Sequence, residues 1–210
     1  MTNNQTPPPP VRGSISIFAK PGQTPISIPF QFNPARVRRE VTARTSGGES
    51  GGHSEMVRIV SAPSEVFTIE LEFDALNRLP NQQQVKAAES MGVFPQMAAL
   101  ESTIMPATAD VVAAQQSLAQ GRMDVAPFEM PLVMLILGPN RSVPIAPKSF
   151  SYIEQQFDSD LNPIRATVTM KAQVLSYSDV VSHSSAYAQY LSYQKHRDAM
   201  ARNAFVTGAR

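Results

Sequence analysis

The 210-residue chain contains no cysteine, which removes disulfides, thiolate nucleophiles and sulfur-ligated zinc together and fits a protein made in the cytosol. It also lacks a dominant charge: 18 lysines and arginines stand against 17 aspartates and glutamates, a formal balance of +1. No global field draws such a chain to nucleic acid or to an anionic membrane, so neither a nucleic-acid partner nor membrane insertion is expected. Long apolar runs are missing too. The longest after Pro131, LVMLIL, falls far short of the roughly 20 residues that span a bilayer. The opening MTNNQTPPPP has neither the basic start nor the apolar centre of a secretory signal, so the chain reads as soluble and not exported by a cleavable signal.

Histidine is scarce, and His53, His183 and His196 include no pair at the i, i+4 spacing of a helical zinc site. The glycine-rich SGGESGGHS lacks the lysine and hydroxyl order of a phosphate-binding loop. No metal and no cofactor are expected. A fixed short-period repeat is absent as well.

What the chain does have is alternation. With 42% hydrophobic residues it can bury one sizeable core. SISIFA, ISIPFQF, RVRREVTART, MVRIVSA, EVFTIELEFD, PLVMLILG, RSVPIAP and KSFSYIEQQFD read as strands, with Phe67, Ile69, Leu71 and Phe73 facing one way in the cleanest of them. From Ile164 to Val174 apolar side chains fall on every second position, and the run on to Ser176 would span about 40 Å as one strand. Between residues 79 and 127 the texture turns to Ala, Gln, Met and Glu, and QQQVKAAES, FPQMAALEST and ADVVAAQQSLAQG predict two or three short helices.

The expected organisation is a disordered Pro-rich tail over 1–12, a β-domain over 13–180 with the helical insertion at 79–127, and a helical extension over 181–210. The fold class is α+β, mainly β, a sandwich or partly closed barrel with a C-terminal helix.

Candidate chemistry is thin. Glu70, Glu72 and Asp74 share a strand face, but they alternate as a solvent-facing or inter-subunit face does, without the cleft that a working carboxylate pair needs. Arg36, Arg38, Arg39 and Arg44 form a basic cluster that reads as a salt-bridging surface, with Arg39 facing away from Arg36 and Arg38. Met91, Met97, Met105, Met123, Met130 and Met134 suit adaptable core packing, with a flexible binding surface as the alternative. Tyr187, Tyr190 and Leu191 have the spacing of one helical stripe, which either packs on its own sheet or docks on a neighbour.

Two stretches, FQFNPARVRRE and LILGPNRSVPIAPKSFSYIEQQFDSDLNPIRATVTMKAQVLSY, closely resemble the tube-like proteins of contractile injection systems, the phage-tail-like machines of bacteria. The matching elements are Phe30 to Pro34, Gly138 to Arg141, Ser149 to Phe157 and Asn162 to Ala166, within a resemblance that covers roughly residues 14–180. It implies a tube-type β-barrel that assembles into a hexameric ring, with the long strand lining or bracing the wall, where a strand that extends beyond one protomer's core can pair or pack against the next subunit.

The same resemblance implies a structural subunit, not an enzyme. Its partners would be its own copies, the inner-tube protein, the spike or hub and other baseplate proteins. Phe30, Phe32 and Asn33 would anchor the first strands. Asn162, Arg165 and Lys171 would join protomers. A mobile tip holding Gly47, Gly48, Gly51 and Gly52 would order on meeting the adjacent ring. Some members at the base of the tube carry a cell-wall-binding module after the β-domain; here a Ser-rich link and one helix follow Tyr177, so a ring initiator or adaptor is the expected role. Synthesis and assembly into the particle are expected in the cytoplasm. The alternatives are a regular inner-tube protomer, a stand-alone β-sandwich module for glycan or peptide built around Glu70, Glu72 and tyrosines, and a hydrolase using those carboxylates.

Overall fold

A computed structural model of the chain describes residues 12–18, 24–46, 57–77, 91–121 and 128–204. The expected N-terminal tail before Arg12, the glycines of the 46–54 tip and the first helix of the insertion lie outside the described residues.

Strands β1 (Ser14–Phe18), β2 (Ile26–Pro29), β3 (Val37–Ser46) and β4 (Arg58–Asp74) come first. Helices α1 (Phe94–Glu101) and α2 (Thr108–Ala119) follow, then β5 (Leu132–Ile136), β6 (Ser142–Phe157), β7 (Pro163–Val174) and the terminal helix α3 (Ser185–Ala204). The protein is α+β and mainly β. All seven strands join one sheet in the order β2-β1-β5-β6-β7-β4-β3, and every pairing is antiparallel.

Two pairs of expected strands are continuous. MVRIVSA and EVFTIELEFD form the single 17-residue β4, and RSVPIAP and KSFSYIEQQF form the 16-residue β6. Pro147 sits at a register shift between β6 and β7, and Pro63 lies beyond Val66, where the β4–β7 ladder begins. Bulges and unpaired edges are where a strand tolerates a residue with no N–H to donate.

The alternating run that promised the longest strand is the 12-residue β7, shorter than both of its neighbours. It pairs with β4 on one side and β6 on the other. Its inward side chains Ala166, Val168, Met170, Ala172 and Val174 are all buried. The pairing half of the expectation that this strand pairs or packs against the next subunit is therefore corrected: its backbone is satisfied within the chain, because β6 folds back onto it through a tight turn and β4 carries the same period.

The sheet is rolled. Phe30 N donates to Gly13 O at 2.9 Å, beside β1, while the next residue, Gln31, exchanges bonds with the end of β4: Asp74 N donates to its Oε1 at 2.6 Å and its Nε2 donates to Asp74 O at 3.1 Å. In a flat sheet β1 and β4, four places apart in strand order, would lie about 19 Å apart. No ladder joins the edge strands β2 and β3 among the described residues, so strand pairing does not close the roll.

One apolar cluster fills it, from Ile15 and Ile28 to Phe67, Leu135, Ile145 and Met170. Two of the helices, α1 and α3, cover its ends. Val93, Met97 and Leu100 of the α1 region enter the core, beside the β6–β7 turn, where Val93 N donates to Pro163 O at 2.9 Å. Gly92 permits that approach: its φ is +58° and a Cβ there would meet Pro163 O at 2.1 Å, so both backbone and space demand glycine. At the opposite end α3 inserts Tyr190 and Tyr193.

Candidate assembly surface

The Phe30–Pro34 element divides its aromatic rings between two jobs. Phe30 is buried against Gly13, where a Cβ would lie 2.6 Å from the Phe30 ring. Phe32, two residues on, stays at the surface, while Asn33 Oδ1 accepts from Gly13 N at 3.1 Å and fixes the turn. Arg12 adds a hydrogen bond to Gln31 O.

Around Phe32 the sheet surface is concave. One depression of about 400 Å³ is lined by Phe32, Asn33, Pro34, Ala35, Arg36, Glu70 and Glu72. A second of about 340 Å³ adjoins it through Phe32 and Glu72 and reaches Gln155 and Arg165. Residues Phe32, Asn33 and Arg165, from opposite ends of the sequence, are thus brought to one groove. The Arg165 guanidinium is held there by Asp74, Nε to Oδ2 at 2.9 Å. Asp74 consequently leaves the solvent face on which Glu70 and Glu72 remain exposed.

The other expected contact residues lie elsewhere. Asn162 is in the β6–β7 turn, its N and Nδ2 bonded to the Asp158 carboxylate at 2.8 and 3.0 Å. Lys171 is exposed on the outer face of β7, between Thr68 and Ser149 of the flanking strands. The aromatic stripe of α3 packs inward. Tyr190 is buried with its ring edge-on to Tyr177 at 5.9 Å, Leu191 is packed against the core, and Tyr187 is half-buried. Of the two roles open to that stripe, packing on its own sheet is the one observed. Gly47, Gly48, Gly51 and Gly52 lie outside the described residues. Among the described residues no three potential metal-ligating side chains converge, and no helix is long and apolar enough to cross a membrane.

Sequence reasoning missed the buried carboxylate of Glu65, 3% exposed. It accepts from the Tyr193 hydroxyl at 2.7 Å and from Arg197 at 3.0 Å, and it pairs with Arg39. Arg197 also lies over the Tyr193 ring at 5.3 Å. Two cations and a phenol on one desolvated carboxylate form a structural lock between α3 and the β3–β4 pair. Burial, followed by the bond to Glu65, pushes the Tyr193 hydroxyl up to about 12. The bond to Glu65 likewise raises Arg39, against the opposing effect of burial. Arg38 pairs with Glu40 on the other face, so the arginine cluster does divide between two faces and does make salt bridges. The signal that could have singled out Glu65 is its place in phase with Phe67 and Ile69, an acidic residue on the apolar side of a strand.

The last feature is a projection. The ladder between β4 and β7 begins at Val66 and Gln173, yet β4 continues outward to Arg58 and β3 accompanies it to Ser46. Glu65 and Ala62 are still buried against the body, Ala62 N donating to Ser178 Oγ at 3.3 Å, and only the outer end, Arg58 to Ser61 opposite Arg44 to Ser46, forms a two-stranded ribbon, with register shifts on both sides of Arg44. The side chains of Val41, Val57, Ile59 and Val60 are exposed. A bare two-stranded ribbon is marginal in water, and its β-branched residues form an apolar surface open to solvent.

No known family model matches the chain, and no curated protein matches it either.

Proposed function

We propose that the chain is a structural subunit of a contractile injection system, a tube-type β-barrel protein whose hexameric ring initiates the inner tube or adapts it to the baseplate and spike hub. The observation that carries this reading is the outer end of the β3–β4 pair, where Ile59 and Val60 are exposed and neither strand has a second ladder partner among the described residues. Such a projection gains stability from a neighbouring subunit, and six copies in a ring turn weak single contacts into a strong assembly. The rolled sheet, with a polar face outside and its core within, provides a wall segment suited to a ring. The groove at Phe32, Asn33 and Arg165 offers a second contact on that wall. The role is assembly, and no chemical step is assigned to Glu70 or Glu72.

Native mass spectrometry should find six-chain rings. Electron microscopy of particles produced without this protein should show spike complexes with no tube attached. Particles with normal tubes would remove the reading.

A further inference from the structure

Two bonds extend the β1–β2 pairing backward along the chain. The ladder sets Ser14 opposite Pro29; beyond it Phe30 N donates to Gly13 O at 2.9 Å, and the Arg12 guanidinium donates to Gln31 O. One step further, the same register leads to Phe32. The residues before Arg12 read MTNNQTPPPPV, with consecutive prolines from Pro7 to Pro10 and no charged side chain.

The groove at Phe32 has the chemistry that suits such a segment. Phe32 is 40% exposed and is shared by the two adjoining depressions. Pro34 and Ala35 add apolar surface beside it. A proline run has fixed φ, no N–H and bare carbonyls, and its extended helix lies on aromatic surface at little entropic cost. Exposed Arg36 in the same depression is a donor for those carbonyls. Exposed Glu70 and Glu72 are acceptors for the amide N–H groups of Asn3, Asn4 and Gln5. The reach fits as well. Four prolines span about 12 Å, enough to pass Glu72 and Glu70, which lie about 7 Å apart as second neighbours on one strand face.

Charge does not select the occupant. The segment after Asn77 leaves from the same end, since Asn77 O accepts from Gln31 Nε2 at 3.3 Å, and it carries Arg78 and Lys86. That segment must return to Met91, next to Gly92 at Pro163, so both its ends are committed to other places in the fold. The N-terminal segment is tied at Arg12 alone and starts beside the ring. We infer that residues 1–11 lie in the Phe32 groove of their own chain, with Pro7 to Pro10 as a polyproline helix on the Phe32 ring and Asn3 to Gln5 toward Glu70 and Glu72. The tether at Arg12 raises the effective concentration, so contacts too weak to hold a free peptide hold the tail. A neighbour that meets this wall meets the tail as part of it. The inference does not rest on the injection-system reading.

The chain has no cysteine, so Gln5→Cys and Ser151→Cys give two clean labelling sites on the full chain. Ser151 is exposed on β6, across Thr169 from Glu70. With a nitroxide on each, pulsed dipolar electron paramagnetic resonance in excess unlabelled wild type should give one narrow separation. Phe32→Ala should broaden it, and Phe32→Tyr, which keeps the ring, should leave it narrow. Pro7→Gly, Pro8→Gly, Pro9→Gly and Pro10→Gly together should also broaden it, because glycine makes the segment a flexible coil without touching the folded body. A broad distribution in the parent, a narrow one that survives Phe32→Ala or the four glycines, or one lost in Phe32→Tyr would overturn the inference. So would a narrow separation that disappears on dilution with unlabelled chain, which would put the tail in a neighbouring copy. Absence of rings in native mass spectrometry together with a narrow separation would count against the proposed function alone.

Discussion

Glu65 shows what one residue does when burial and charge meet. Its carboxylate, taken out of water, is tolerable only because Arg39, Arg197 and the Tyr193 hydroxyl all turn to it. The phenol carries a pH signature. In the unfolded chain Tyr193 ionises near 10.0, whereas in the fold burial first and then the Glu65 bond push it up to about 12. Between those values the unfolded state has released a proton that the folded state keeps, so stability present in full below about pH 10 is lost as pH rises toward 12. Urea midpoints measured across that window should fall more steeply for wild type than for Tyr193→Phe. The variant should cost about 1–2 kcal/mol at neutral pH, through the lost hydrogen bond. Equal slopes would show that the hydroxyl is not held in this way. At this scale the sequence was partly legible: alternation placed Arg39 opposite Arg38, but its partner is 26 residues away and those on α3 lie 128 and 132 residues from Glu65. No local pattern reports such distances.

Among the elements, β7 and the outer part of β4 are opposites. The first is flanked on both sides and apolar on its inner face; the second, from Arg58 to Ser64, has β3 on one side and no β7 ladder on the other. Opening the body is a global event and opening the ribbon a local one. Hydrogen exchange should accordingly find the amides of Val168 to Ala172 among the slowest in the chain and those of Arg58 to Ser61 far faster, with the ribbon slowing on assembly. Uniform exchange along β4 would contradict the ribbon's independence. Both strands were visible as alternating segments, yet proline at positions 63 and 147 suggested breaks where the structure has continuous strands. Proline stops a strand where its missing N–H would be needed. At those two places the ladder is bulged or open, and neither condition can be read without knowing the neighbour.

For the whole molecule the roll of the sheet is the defining feature, and Gln31 holds it. Its amide serves both the N–H and the carbonyl of Asp74 and adds a bond to Asn77 O at 3.3 Å. Its own carbonyl accepts from Arg12. Gln31→Ala leaves buried backbone groups of β4 without partners and should cost about 1–3 kcal/mol in urea denaturation. A neutral substitution would mean that the core alone keeps the sheet rolled. Composition and alternation determined a good deal unaided: a mainly β chain with helices, which side of each strand is apolar, and a terminal helix with an aromatic stripe. Those are properties of consecutive residues, because the side-chain period is set by the backbone itself. Tertiary structure alone decided that β7 is interior, that Asp74 holds Arg165, and that the outer end of the β3–β4 pair runs past the β7 ladder. These depend on which distant segments share hydrogen bonds and exclude water together, and a chain's neighbours in space are not its neighbours in sequence.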